Sequence, residues 1–226
     1  MTKILALDTS SKYISAAIAD GNGKIIASAH KEADQMQCER LLPEIDKLLK
    51  KAKLQIADIG IIIFSKGPGS LTSLRIGAAA VKGLAFTRKI KIVGVPTLDV
   101  IARCLPIIPS LAVPMVDARR GNVYCSIYSR RGGKLSRKMK YSVIPVAELL
   151  KSVKGDTIFT GDGLAAYGQY IRDNFKFKAE FAPERYWYPS AEVVLELGLG
   201  LIKKKKFEDT DKFTPLYVYP KDVQVR

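Results

Sequence analysis

The 226 residues include a single histidine, a single tryptophan and only three cysteines. The lack of histidine weighs against most hydrolytic and metal chemistry. His30 is the only imidazole available to a Ser-His-Asp arrangement, and Ser70 does not sit in a G-x-S-x-G elbow. No Cys, Asp or Glu accompanies His30 at ligand spacing, so its expected role is structural and no metal site is predicted. Cys38, Cys104 and Cys125 are odd in number and never form CxxC, which predicts reduced, mostly buried thiols in place of a disulfide framework or a zinc site. Long apolar runs are also missing. Ile59–Phe64 has strand length, and Ile4–Leu7 is too short for a secretion signal or a membrane span, so a cytoplasmic protein with no membrane partner is expected.

Acidic residues are few: 22 Asp and Glu face 37 Lys and Arg, a net charge of +15. Such a field favours polyanions. Lys50-Lys51 and Lys203–Lys206 fall near the ends of helix-like segments, where cations complement the helix dipole. Arg119, Arg120 and Arg130 fall in turns, and are the candidate polyanion contacts.

Against these absences stands a repeat. Ile4–Leu7 reads as a strand ending in Asp8, followed by the polar turn Thr9–Lys12, a strand over Ile14–Ala19, the hairpin turn Asp20-Gly21-Asn22-Gly23 and a third strand over Lys24–His30. The same order returns with Val113–Val116, Asp117, a turn over Ala118–Gly121, a strand over Val123–Tyr128, a turn at Arg130–Gly133 and a third strand over Lys134–Tyr141. After each unit the period turns helical. Leu41, Leu42, Ile45, Leu48 and Leu49 make a helical stripe within Glu39–Lys53, and helices follow over Leu71–Thr87, Thr97–Cys104, Val146–Ser152, Ala165–Phe175 and Ser190–Lys206. Strands alternating with helices predict α/β lobes, each a mixed sheet with helices. The proline-rich Pro106-Ile107-Ile108-Pro109 predicts a joint, giving lobes over 1–105 and 106–226, with the last helix packing back on the first lobe.

Ser65-Lys66-Gly67-Pro68-Gly69-Ser70 joins a strand to a helix N-terminus, a generic anion site without the Walker A pattern. Ser70 or Thr72 is the expected helix cap. The helix it opens is small on most faces, and Gly77 and Gly83 each cost roughly 1 kcal/mol against alanine. Close approach of another helix would explain them, and the expected interface comprises Leu41, Leu42, Ile45, Leu74, Gly77 and Val81; close packing on the chain's own sheet is the alternative. Asp8 and Asp117 are read either as metal–phosphate or base groups in a cleft between lobes, or as caps of the turns that follow them.

Several segments resemble the TsaB (YeaZ) family: Leu5-Ala6-Leu7-Asp8-Thr9-Ser10, Glu39-Arg40-Leu41-Leu42-Pro43, Gly67–Gly77, Val116–Tyr124, Gly161-Asp162-Gly163 and Pro215-Leu216-Tyr217. They occur in the family's order along nearly the whole chain. The resemblance implies the duplicated actin-like fold of sugar kinases and heat-shock chaperones. It also implies a non-catalytic partner of TsaD and TsaE in placing threonylcarbamoyl on N6 of the anticodon-adjacent adenosine of ANN-decoding tRNAs. Pairing would use the helices within Glu39–Lys53 and Leu71–Thr87, with a homodimer in isolation and tRNA met through the complex. No cofactor is required by this chain; weak ATP or ADP binding is expected at a vestigial cleft of Asp8, Thr9, Ser10, Asp117, Gly161 and Gly163. Arg119, Arg120 and Arg130 become the expected tRNA contacts. A glycoprotease-like hydrolase and a nucleotide-hydrolysing switch are the alternatives. Departures from the family pattern fall at Gln37-Cys38, Leu71-Thr72-Ser73 and the tail Tyr217–Lys221, and bear on partner choice more than on fold.

Overall fold

The computed structural model describes residues 2–33, 36–108 and 110–219. Pro109 of the expected joint and Pro220-Lys221 of the tail lie outside the described residues. The described residues divide into two compact units, one drawn from residues 2–100 and 189–216, the other from 101–188 and 217–219.

In the first unit, β1 (Lys3–Asp8), β2 (Tyr13–Ala19), β3 (Ile25–Glu32), β4 (Ile59–Ser65) and β5 (Lys91–Val95) form a sheet in the order β3-β2-β1-β4-β5. The β1–β2 and β2–β3 pairs are antiparallel, while β1–β4 and β4–β5 are parallel. Parallel strands are buried on both faces and need a helical layer on each. Helices α1 (Gln37–Lys51) and α2 (Leu71–Arg88) cover one face, where Leu41, Ile45, Leu48, Leu74 and Val81 join Leu5, Leu7, Ile62 and Phe64 in a single core. The other layer is α6 (Ala191–Lys203), which packs on β1, β2, β4 and β5. Gly198 makes this approach possible, because a Cβ there would run into the Ile63 side chain. The backbone N–H of Ala191 donates to Ser15 Oγ at 2.8 Å, and Ser190 Oγ accepts from Val193 N as the helix cap. Residues 189–216 therefore complete the first unit's sheet. The division from the second unit falls inside α3 (Thr97–Cys104).

The second unit repeats the order as β10-β7-β6-β11-β12, from β6 (Leu111–Asp117), β7 (Asn122–Cys125), β10 (Ser142–Pro145), β11 (Thr157–Thr160) and β12 (Ala179–Phe181). Helices α4 (Val146–Ser152) and α5 (Gly163–Asn174) enclose its core of Val113, Met115, Phe159, Leu149, Leu164 and Ile171. The matching strand orders carry the duplicated actin-like fold.

The expected strand over Val123–Tyr128 is broken in two, and the one expected over Lys134–Tyr141 stops at Arg137, with a further strand, β10, beginning only at Ser142. β7 gives way to β8 (Tyr128–Arg131), and β9 (Lys134–Arg137) pairs with β8 while β10 pairs with β7. The physical cause is Pro114. Met115 pairs with Cys125 and Ala112 with Tyr128 in one register, which puts Pro114 opposite Ser126. Proline has no N–H for the ladder there. Ser126 and Ile127 then face the longer stretch Lys138–Tyr141 in a bulge, held by Lys138 N donating to Ile127 O and Ser126 Oγ donating to Met139 O at 2.7 Å.

Candidate functional site

The two strand-end aspartates do the same local work in their separate units. Asp8 is fully buried and accepts from Ser10 N at 3.0 Å through Oδ1 and from Ser10 Oγ at 2.8 Å through Oδ2. Asp117 accepts from Arg119 N at 2.8 Å, from Tyr167 OH at 3.3 Å and from the Arg119 guanidinium at 3.2 Å. Both make the bond to the residue two positions on, the turn-capping geometry of Asp. Burial pushes the Asp8 carboxyl up to about 6, against the opposing hydrogen bonds from Ser65 and Ser10. A carboxylate enclosed and occupied in this way is poorly placed to hold a metal–phosphate. Next to Asp117, Asp162 accepts from Asp117 N at 3.1 Å, and burial raises its carboxyl above the usual range. Gly161, at φ +103°, is required because a Cβ would strike the Met115 carbonyl.

The glycine loop is likewise spent on its own unit. Lys66 N donates to Val95 O, Gly67 N to Thr97 Oγ1 at 3.0 Å, and Ser70 N to Ser10 O at 2.8 Å. Thr97 N returns a bond to Gly67 O, and Ser65 Oγ shares a proton with Thr97 Oγ1. Gly69 has no room for a side chain because Ser10 O lies where its Cβ would be. Ser70 is the N-cap residue of α2, but its hydroxyl bonds Ser73 Oγ and makes no cap bond. Thr9 Oγ1 donates to Ser73 O at 3.0 Å, tying β1's turn to α2. A loop whose N–H groups serve the chain itself is a brace more than a phosphate cradle.

The interface residues expected on α1 and α2 need correction. Leu41, Ile45, Leu74 and Val81 are at most 3% exposed and lie in the first unit's core. At Gly77 a Cβ would meet Thr9 Oγ1 and the Phe64 ring, so this glycine admits the chain's own sheet and not a partner. Of the six, only Leu42 faces outward, at 52% exposure. The reason lies in the phase of α2. Leu74, Ala78, Val81 and Ala85 point inward, leaving Arg75, Ala79, Gly83 and Phe86 outward. Nothing lies within 4 Å of a Cβ built on Gly83, and Phe86 is 78% exposed. This outward seam of small residues ending in an aromatic was missed in the sequence, though the Ala79-to-Gly83 spacing of one helical turn was its available signal.

Arg130 also needs correction as a nucleic-acid contact: it is half-buried and donates to Pro106 O at 2.9 Å within its own unit. Arg119 and Arg120 are exposed, in left-handed backbone at φ 66° and 52°. Among the cysteines, Cys125 is fully buried, its thiol pushed up to about 12 by burial, but Cys38 is exposed. His30 stacks on the Tyr13 ring with centroids 4.6 Å apart. Among the described residues no three His, Cys, Asp or Glu side chains gather as a ligand set, and no helix is long and apolar enough to cross a membrane.

The family model of TsaD, tRNA N6-adenosine threonylcarbamoyltransferase, matches residues 28–225. The tRNA threonylcarbamoyladenosine biosynthesis protein TsaB of Bacillus subtilis (strain 168) is 28% identical over 218 residues, covering 95% of this chain and 93% of that protein. TsaB of Escherichia coli (strain K12) is 26% identical, covering 96% and 94%. Among solved structures, a Pseudomonas aeruginosa protein described as similar to peptidase YEAZ superposes with a TM-score of 0.82 at 25% identity, covering 97% of this chain and all of that one. A YeaZ structure from the same organism gives 0.80 at 24%.

Proposed function

Because this chain belongs to the TsaD family and, within it, to the TsaB (YeaZ) proteins, we propose that it serves tRNA threonylcarbamoyladenosine biosynthesis as a non-catalytic partner that docks on TsaD. The observation that carries the reading is the outward face of α2. A helix with Ala79 and Gly83 one turn apart and a largely exposed Phe86 admits a second helix at close range and offers it an aromatic anchor. Leu42 on the neighbouring α1 and Leu71 at the start of α2 widen the patch, at 52% and 48% exposure. The same face would serve a homodimer when TsaD is absent. Engagement of Asp8 and of the glycine loop within the first unit supports leaving the transfer chemistry to the partner. No observation favours a hydrolase, whose only imidazole is the one stacked on Tyr13.

Reconstitution tests this directly. With TsaD, TsaE, tRNA and a supply of threonylcarbamoyl-adenylate, modification measured by nucleoside mass spectrometry is expected only when this chain is added, and this chain alone is expected to give none. Full modification without it would end the reading.

Arg119 and Arg120 remain the tRNA contacts of the proposal. Arg119→Glu with Arg120→Glu is expected to weaken tRNA binding by the assembled complex. It should also flatten the slope of log Kd against log salt by about 2, one for each lost phosphate contact. An unchanged slope would remove these arginines from the interface. Arg130 is left out because its replacement would break the bond to Pro106 O.

A further inference from the structure

A second surface of the first unit adjoins the docking seam and shares Phe86 with it. A cavity of about 290 Å³ opens where α2 ends, β5 begins and the chain leaves α6, lined by Phe86 and Phe207, by Lys89 and Lys91, and by Glu208 and Asp211. That size is at the small end of ligand sites, suited to one planar ring. Both aromatic rings are unusually open for their type, Phe86 at 78% and Phe207 at 37% exposure. Lys91 Nζ stands 5.0 Å from the Phe207 ring centre. The shelf is built and not loose: Glu208 N donates to Ile92 O at 2.9 Å, Lys206 N to Leu201 O at 3.0 Å, and Leu216 N to Lys66 O at 2.7 Å.

The charges around it are mostly positive. Arg88, Lys89, Lys91 and Lys203–Lys206 are all exposed. Of the cavity's two acids, Glu208 is already held by Lys66 at 2.6 Å, and the single charge of Asp211 does not offset that many cations. Arg88 and Lys203 stand in the last turns of α2 and α6 and suffice for the helix dipoles. Lys91 lies on a strand and Lys205-Lys206 beyond the helix, so the dipoles do not account for them. Open aromatic rings beside an excess of lysines match the chemistry of an unpaired nucleic-acid strand, whose bases stack and whose phosphates need cations.

We propose that this cavity takes one unpaired base of a single-stranded RNA between Phe86 and Phe207, with the flanking phosphates on Lys89, Lys91 and Lys204–Lys206. The inference rests on the proposed function only in taking RNA as the polyanion; docking on TsaD is not needed for it. An apolar anchor from a protein partner is the competing occupant, and the lysine rim disfavours it unless that partner is acidic.

The test is fluorescence anisotropy with the full chain alone, a labelled 12-nucleotide single-stranded RNA and an RNA duplex of the same length. Phe86→Ala and Phe207→Ala are each expected to raise Kd for the single strand about tenfold and to leave the duplex within twofold. Lys89→Glu with Lys91→Glu is expected to weaken both, with a smaller salt slope. Phe86 is open enough that its alanine variant will fold, which keeps the test valid if Phe207→Ala does not. The proposal is overturned if Phe86→Ala leaves single-strand Kd unchanged, or if single strand and duplex lose affinity equally in the phenylalanine variants. Loss of TsaD binding by Phe86→Ala with RNA affinity intact would leave the ring to the protein interface alone and overturn the RNA role. The reconstitution experiment stands or falls independently, since the anisotropy contains no TsaD.

Discussion

Gly77→Leu is expected to abolish folding of the first unit, whereas Gly83→Leu on the same helix is expected to fold and to lose TsaD. At Gly77 even a Cβ enters the space of Thr9 Oγ1 and the Phe64 ring, and Phe64 is itself fully buried in the sheet. A leucine there must move β4 or lift α2. Forced overpacking typically costs 1–3 kcal/mol for added methylenes that side chains absorb, and more where packed structure must shift. Several kcal/mol is a large share of the roughly 5–15 kcal/mol that holds a domain together. Gly83 is the opposite case. Its Cβ would meet nothing, so Gly83→Ala should stabilise the chain by about 1 kcal/mol through helix propensity alone. Gly83→Leu fills only the outward seam. Denaturant melts of the isolated variants, followed by size-exclusion chromatography with TsaD, separate these outcomes. A folded Gly77→Leu chain, or a Gly83→Leu chain that still co-elutes with TsaD, would contradict the assigned phase of α2.

Asp8→Asn is expected to make the chain more stable than the parent at pH 7.5 and to remove a pH dependence. The Asp8 carboxyl titrates near 6 in the fold, from an ordinary value of 3.8 in the unfolded chain, because burial disfavours its charge. With the folded value raised, the folded state holds the proton more tightly. Its contribution is fully present below about 4 and is lost as pH rises through about 6. By pH 7.5 the enclosed charge costs about 3 kcal/mol relative to the protonated form. Asparagine keeps an oxygen for Ser10 N, and its amide can donate to Ser10 Oγ, whose hydroxyl can turn to accept. Urea midpoints taken at pH 4.5 and 7.5 should show the variant's advantage growing by about 2 kcal/mol across that interval. If parent and variant run parallel, Asp8 is ionised throughout and a charge-holding role for it reopens.

Both predictions turn on what a linear reading delivers. Strand and helix segments followed from local period, since alternation and the helical stripe are written residue by residue. That one unit occurs twice followed from the same patterns, and the strand orders agree with it. The break after Cys125 did not follow, because Val123–Tyr128 alternates acceptably and its interruption depends on Pro114 lying opposite Ser126 in the sheet. The half-buried place of Arg130 was hidden for a like reason: its partner, the Pro106 carbonyl, is set by the fold.

Helix α2 marks the boundary most sharply. Leu74, Ala78, Val81 and Ala85 recur with the helical period, and so do Arg75, Ala79, Gly83 and Phe86. When a helix is small on nearly every side, its own sequence specifies that it is a helix and that something comes close, but not which side is approached. Only the sheet decided that, by seating Phe64 and Thr9 against Gly77 and leaving Gly83 open. The sequence alone thus determined the helices, most of the strands, the duplication and the family resemblance, all of which are carried by local pattern. The identity of the exposed face required tertiary structure, because burial is a relation between segments distant along the chain.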